Sequence, residues 1–463
     1  MKKIKKNICV QGIGYVGAAT MAAIAQAKDN SGKPLYNVKG IDINSPLGIK
    51  RINSINKGSF PFDSSDRDLD KVIKKAHREK RLSASYNISD IEKAEIIIIN
   101  IPLDVSYKKR KPYVNFKNFD NAIYDVGNFM NPEALVIIET TIPPGTSEIR
   151  IAPILLNCMK KRGVSQKKLM LAHSYERVMP GPKYLNSIIN NWRVYSGYNK
   201  KSADLCEDFL KTIINYKKFP LTRLASMRAS ETAKIMENSY RATNIAFIEE
   251  WARFAENIGI NSFEVINAIR MRPTHNNIRQ PGFGVGGYCL TKDPYFANLS
   301  AEQLFNIKKL NFPLSEMGIQ INNKMPLENF NLLKKHFKNI NDKKILLLGA
   351  SYRSEVDDTR NSPSEIFIKK CLKMRIKIDI HDPYAKTFEK IDIKIKNKMP
   401  NISNYDAVVL AVNHKFYTSF DFIKWMGKSG KIFLDTTNSF SEKIYQNLIQ
   451  NGNTVIITGR GDL

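Results

Sequence analysis

No stretch of this sequence approaches the roughly 20 consecutive apolar residues that span a bilayer; the nearest candidate, Ile96–Ile99, is strand-sized. A membrane association is therefore not expected. Histidine is scarce, six in 463 residues, and none falls in an HxH or HExxH spacing, so no metal site is expected. Cysteine is scarce as well. Cys9, Cys158, Cys206, Cys289 and Cys371 form no CxxC pair and are odd in number, which fits a reducing cytoplasm better than a disulfide framework. No apolar signal-peptide core follows Met1-Lys-Lys-Ile-Lys-Lys6, again as expected of a cytoplasmic chain. Glycine (24) and proline (20) are too few for a collagen-like or low-complexity chain, and 43% apolar residues are too many for a disordered one. Acidic residues are in deficit: 44 against 72 Lys and Arg, a net charge of +28. The basic residues are scattered over 2–6, 74–81, 108–111 and 394–398. Nucleic-acid binding would need them concentrated on one element, so it is not expected, whereas anionic small molecules suit the charge.

What is present is an alternation of strands and helices. Residues 8–10 read as a short buried strand, followed by Gly12-Ile-Gly14-Tyr-Val-Gly17 and an Ala-rich helical stretch over 18–27. Further strands are predicted at 38–42, 96–100 and 134–139, which suggests a parallel, doubly wound sheet. The longest helical pattern runs over 224–258, with Ala233, Met236, Tyr240, Phe247, Trp251, Phe254, Ala255 and Ile258 at 3–4 spacing. A Gly/Pro-rich loop occupies 281–294, and 326–343 reads as a helix plus linker. The strand pattern restarts at 345–349, 376–380, 407–412 and 432–435. The expected fold class is α/β, with two Rossmann-like doubly wound domains (1–222 and 326–463) joined by a central long-helix domain (223–325).

Four clusters carry chemistry. Gly12, Gly14 and Gly17, with Tyr15 and Val16 between them, stand where a strand meets a helix, the setting in which backbone N–H groups cradle a pyrophosphate. Asp42 ends the next strand, 25 residues after Gly17, with the turn-rich segment 29–34 accounting for the extra length. A carboxylate there accepts ribose hydroxyls and repels a 2′-phosphate, which predicts NAD rather than NADP. Cys289 follows Gly284, Gly286 and Gly287 and precedes Lys292 and Asp293, a polar, cationic setting suited to a nucleophilic thiol. Glu231, Lys234, Asn238 and Arg241 share one face of the long helix; that face is either an exposed charge ladder or a buried polar face turned toward a site. Glu139-Thr-Thr-Ile-Pro-Pro-Gly-Thr146 is either a Thr/Pro turn or part of the ligand-binding edge at a strand's carboxyl end.

Taken in order, these pieces resemble the UDP-glucose/GDP-mannose dehydrogenase family. The resemblance rests on Gly12 to Gly17, Thr140-Thr-Ile-Pro-Pro-Gly-Thr146, Glu176-Arg-Val-Met-Pro-Gly181, Ala233-Lys-Ile-Met-Glu-Asn-Ser-Tyr-Arg241, Gly284-Val-Gly-Gly-Tyr-Cys-Leu-Thr-Lys-Asp293, Leu347-Leu-Gly-Ala-Ser-Tyr-Arg353 and Asp357-Asp-Thr-Arg-Asn-Ser-Pro363. It implies an N-terminal NAD-binding domain, a helical dimer-forming centre and a C-terminal domain for the nucleotide. The implied reaction is a twofold oxidation of a UDP-sugar C6 alcohol to the carboxylate. Cys289 is then the nucleophile, Lys234 and Asn238 the oxyanion stabilisers, and Asp293 and Thr141 the handlers of a water. Glu176 is implied in hydrolysis. Glu176, Arg177, Lys234, Asn238, Phe283, Gly284, Gly286 and Arg353 are implied to line the sugar nucleotide, and Gly12, Gly14, Tyr15, Val16, Gly17, Asp42 and Thr141 the NAD. Arg360 is expected to order the Arg353 loop against Asp357 or Asp358. There are departures. Asn100-Ile-Pro102 replaces a Thr-Pro pair. Pro273 stands where the family carries an arginine that crosses the dimer, with Arg272 and Arg279 nearby. Pro180 replaces an acid typical of UDP-glucose enzymes; the lost charge and the room it leaves favour an N-acetylhexosamine over glucose. A two-electron β-hydroxyacid dehydrogenase would lack Cys289 and the third domain, and a non-catalytic NAD-binding regulator of nucleic acid would need a basic recognition element that is absent.

Overall fold

The protein is described by a computed structural model covering residues 6–109, 111–388 and 391–463. It divides into two units, Met1–Glu237 with Tyr295–Asn311, and Asn238–Pro294 with Phe312–Leu463.

The first unit is built on an eight-stranded sheet. Its strands are β1 (Lys6–Gln11), β2 (Tyr36–Ile41), β3 (Leu82–Ser85), β4 (Ile96–Ile99), β7 (Leu135–Ile138), β8 (Met170–His173), β9 (Arg193–Gly197) and β10 (Leu221–Arg223); a separate hairpin pairs β5 (Val105–Lys108) with β6 (Lys111–Val114). The spatial order is β10-β9-β8-β7-β4-β1-β2-β3. The isoleucine run explains the burial of the sheet. Ile96 and Ile98 enter the core on one face, and Ile97 and Ile99 the core on the other, because side chains alternate across a strand. A strand covered on both faces is a continuous apolar run. Chain order reverses between β1 and β4, so the carboxyl ends of these two strands flank the crevice where such folds take ligands. The sheet is parallel except where β9 pairs antiparallel with β8. Both strands went unread in the sequence: β9 mixes polar with apolar residues, and β8 offers only the short apolar run Leu169–Ala172 before His173.

The second unit carries a six-stranded, all-parallel sheet: β11 (Lys344–Leu348), β12 (Lys377–His381), β13 (Ile395–Lys396), β14 (Ala407–Leu410), β15 (Ile432–Asp435) and β16 (Thr454–Ile457), in the order β13-β12-β11-β14-β15-β16. Ile345 and Leu347 face one core, Leu346 and Leu348 the other. The helix read from residue 326 in fact spans Pro313–Lys334 with Pro326 inside it. Pro326 is a helix-starting residue by local rules, but here it is buried together with Met325, Asn329 and Phe330, and packing overrides the local signal.

The long helix covers Met227–Ile258. Its spaced large side chains are not core. Tyr240, Phe247, Trp251, Phe254 and Ile258 are each about half exposed, while the small Ala242, Ala246, Ala252 and Ala255 between them are buried. Among the described residues no helix is long and apolar enough to cross a membrane.

Candidate active site

In the first unit, the turn after β1 is shaped by its glycines. Gly12 has φ +96°, and a Cβ there would lie 2.6 Å from the Asn100 carbonyl oxygen. A Cβ at Gly17 would lie 1.8 Å from the Gly12 oxygen. Gly14 is different: nothing stands within 4 Å of its missing side chain. It is the N-cap of the helix Tyr15–Ala25, whose first turn holds no acid. An open cradle at an acid-free helix N-terminus fits a pyrophosphate. Tyr15 stacks on Phe62 at 3.9 Å and accepts a hydrogen bond at its carbonyl from the Tyr184 hydroxyl at 2.7 Å; Val16 is half-buried behind it. Asp42 stands just past β2, fixed by the Ile43 N–H at 2.8 Å and by Arg51 at 3.3 Å.

At the end of β7, Glu139 is a structural residue. It is buried and accepts from Thr20 and Asn100 at 2.9 Å and from Arg193 at 3.0 Å. Asn100 thus helps to hold the Glu139 carboxylate in place. Thr140 turns inward, donating to the Ile101 carbonyl at 2.8 Å, and Thr141 follows it half-buried.

The polar face of the long helix resolves in favour of burial. Glu231, Lys234 and Asn238 are 1%, 7% and 2% exposed, whereas Arg241 is exposed, so an exposed ladder is excluded for the first three. Glu231 accepts the backbone N–H groups of Gly145 and Ser147, and burial pushes its carboxyl up to about 8. Lys234 Nζ lies 3.5 Å from Glu176 Oε1 and 3.3 Å from the Glu176 carbonyl. His173 hydrogen-bonds Ser230 at 2.7 Å; burial, helped by the Lys234 charge, pushes its pKa down to about 3 and keeps it neutral. Glu176 also accepts the Val178 N–H, and Arg177 pairs with Glu237.

In the second unit, Cys289 closes the glycine-rich loop. It is the one cysteine of the five that is not buried. Its carbonyl accepts the N–H groups of Lys292 at 3.2 Å and Asp293 at 2.9 Å, making a tight turn. Asp293 is fully buried and held from two sides, by Asn238 Nδ2 at 2.7 Å and Lys292 Nζ at 2.8 Å. Desolvated charges survive only when paired and hydrogen-bonded in this way. Phe283 is core, with its ring 5.5 Å from that of Phe367. Gly284 and Gly286 allow close approach: a Cβ at either would come within 2.7 Å of Pro363. Arg353 is exposed in the loop after β11, and Arg360 pairs with Asp358, with Nη2 at 2.6 Å. Ser351, His414 and Asp382 form a buried cluster nearby, but both Ser351 (3.2 Å) and Asp382 (3.3 Å) address the same His414 nitrogen. A nucleophile triad needs opposite ring nitrogens, so this cluster is structural.

The sequence matches the three domain models of one family in order: the NAD binding domain of the UDP-glucose/GDP-mannose dehydrogenase family over residues 6–215, its central domain over 228–324 and its UDP binding domain over 346–442. The chain belongs to this family. It is accordingly an NAD-dependent nucleotide-sugar dehydrogenase. It is similar to the UDP-N-acetyl-D-mannosamine dehydrogenase of Methanococcus vannielii (32% identity, 96% of this chain, 95% of that one) and of Methanocaldococcus jannaschii (31%, 100% and 99%). Among solved structures it is similar to the UDP-D-ManNAc dehydrogenase of Pyrococcus horikoshii, with a TM-score of 0.79, 30% identity and 99% and 100% of the two chains covered.

Some residues escaped the sequence reading. Arg51, nine residues after its partner Asp42, carries no motif of its own; Tyr352 and Asn361 stand inside stretches that carry the resemblance, but their contacts with the distant Cys289 loop are tertiary and no local pattern shows them. Glu231 was noted for its helix face, but its role as an anchor for the 145–147 backbone depends on a tertiary contact.

Proposed function

We propose that this dehydrogenase oxidises the C6 alcohol of UDP-N-acetyl-D-mannosamine, or a closely related UDP-N-acetylhexosamine, to the carboxylate. The observation that carries the reading is the Cys289 loop: a half-buried cysteine whose turn is pinned by Asp293, itself held by Asn238 and Lys292. Bound NAD supplies the acceptor for two successive two-electron oxidations. Between them the Cys289 thiol adds to the C6 aldehyde, giving a thiohemiacetal; the second oxidation turns it into a thioester, and a water releases the acid and regenerates the thiol. Covalent capture retains the aldehyde. Lys234 and Asn238 stabilise the oxyanions at C6, Asp293 and Thr141 direct the water, and Glu176 supports hydrolysis. Arg353 and the Glu176-Arg177 segment bind the sugar nucleotide. The choice of an N-acetylated sugar is supported by Pro180, which leaves a small, uncharged side chain close in sequence to Glu176, and by the substrate for which the relatives are named. The working unit is a homodimer. Tyr240, Phe247, Trp251, Phe254 and Ile258 make one exposed apolar stripe about 27 Å long at 1.5 Å per residue, more than a monomer ordinarily leaves in water, and a second copy covers it. The reduced thiols fit the cytoplasm. The test is kcat/KM over a panel of UDP-N-acetylmannosamine, UDP-N-acetylglucosamine, UDP-N-acetylgalactosamine and UDP-glucose. The reading expects an N-acetylated sugar to lead; a clear preference for UDP-glucose refutes it.

A further inference from the structure

Residues 350–361, the loop after β11, are tied down at one end and pressed against the thiol loop at the other. Ala350 and Ser351 N–H groups donate to Asp382 Oδ2 at 2.7 and 3.1 Å. Glu355 sits at φ +63°, a costly conformation for a non-glycine residue, and its N–H donates to His414 Nδ1 at 3.0 Å. The Tyr352 N–H reaches the Asp358 carbonyl at 2.9 Å, and Arg360 closes on the Asp358 carboxylate. The loop is thus cross-braced. Its other side forms the floor of the thiol loop. A Cβ at Gly286 would stand 2.7 Å from Tyr352 Cβ, and one at Gly287 2.8 Å from the Tyr352 ring. The Gly287 N–H donates to the Arg360 carbonyl at 3.3 Å, and Asn361 Nδ2 donates to the Gly287 carbonyl at 3.2 Å. Gly287 lies two residues before Cys289, and Tyr352 is next in the chain to Arg353.

Resting on the proposed roles of Cys289 and Arg353, we infer that residues 350–361 act as a strap that couples nucleotide occupancy to the placement of the Cys289 thiol, with Tyr352 and Asn361 as its positioning residues. A nucleotide diphosphate that fixes Arg353 fixes Tyr352 beneath the thiol loop. The absence of side chains at Gly286 and Gly287 is what allows the strap to bear directly on backbone. The nucleophile is then set only when the substrate's nucleotide is in place.

The experiment follows alkylation of Cys289 by iodoacetamide, read by intact mass, with UDP alone as the probe and no sugar or NAD. In the wild-type chain UDP should change the alkylation rate. Tyr352→Ala should alter the rate without UDP and lose the UDP effect, while UDP still binds by calorimetry; Tyr352→Phe should behave as wild type. Simple shielding of the thiol by UDP would persist in Tyr352→Ala. Asn361→Ala, which removes one donor and little packing, should weaken the UDP effect in the same direction. In turnover, Tyr352→Ala should lower kcat by about 10²-fold, the cost of roughly 1 Å of misplacement, with the nucleotide-sugar KM little changed. An undiminished UDP effect in Tyr352→Ala overturns the strap, as does a wild-type thiol indifferent to bound UDP. Failure of UDP to bind the wild-type chain overturns the nucleotide reading itself, and the strap with it.

Discussion

Glu231→Gln should change how stability depends on pH more than it changes stability itself. The Glu231 carboxyl is buried at 1% exposure and held up at about 8, against an ordinary 4.5, because burial penalises its charge more than the Gly145 and Ser147 N–H groups favour it. The folded state therefore holds a proton that the unfolded chain has released between these two values. Stability should fall as pH rises through that window, by about 1.4 kcal/mol per unit, or roughly 4 kcal/mol from pH 5 to pH 8. Below 4.5 the effect vanishes, and above 8 it is complete. Glutamine cannot ionise, so this slope disappears from the variant. Its amide instead points a donor at one of the two backbone N–H groups, which costs about 1–3 kcal/mol at all pH values. The two stability curves should then cross between about pH 5 and 7. Other acids raised by burial, such as Glu249 and Glu256, are common to both proteins and cancel in the difference. Urea titrations from pH 5 to pH 8, with hydrogen exchange over residues 144–151 as the local readout, supply the curves. Parallel curves would refute the reasoning, since they would mean that Glu231 is ionised throughout.

Lys234→Ala should lower kcat by about 10²-fold or more, as expected on losing one oxyanion stabiliser; steady-state rates at saturating substrate check this, and an unchanged rate reduces Lys234 to a structural partner of Glu176. Arg353→Ala should raise the nucleotide-sugar KM by about 10-fold or more, the equivalent of one charge-assisted phosphate contact, and leave the NAD dissociation constant alone; the reverse pattern would exchange the ligands of the two sheets. Trp251→Asp with Phe254→Asp should give a monomer by sedimentation at micromolar concentration, because a desolvated carboxylate has no partner on an apolar face. A persistent dimer would put the interface elsewhere.

Much of the scaffold was legible because it depends on local patterns. The strand before Gly12, the run Ile96–Ile99 and the four principal strands of the second unit were read within a few residues, and the turn geometry at Gly12 follows from positions only glycine can fill. Other features depend on what arrives from elsewhere in the chain. Periodicity showed that the long helix has an apolar stripe and a polar stripe, but not which is buried. Here the polar one is, because Glu176, Asp293 and the 145–147 backbone partner it, while the aromatic stripe faces solvent. The resemblance gives Asp293 as a handler of a water; that it is buried against Asn238 and Lys292, at the close of the Cys289 turn, depends on tertiary contacts. The Glu139 segment reads from sequence as either a turn or a ligand-binding edge, and Arg193, 54 residues away, makes Glu139 an internal tie. Of the two candidate partners for Arg360, geometry chose Asp358.

The central claim is a four-electron oxidation through a covalent Cys289 intermediate. It is tested most directly by counting NADH formed per UDP-N-acetylmannosamine consumed, in the wild-type protein and in Cys289→Ser. The account predicts two NADH and the uronic acid from the wild type, and no normal two-NADH turnover from the variant. One NADH with a released aldehyde from the wild type, or two NADH at the normal rate from Cys289→Ser, would contradict it.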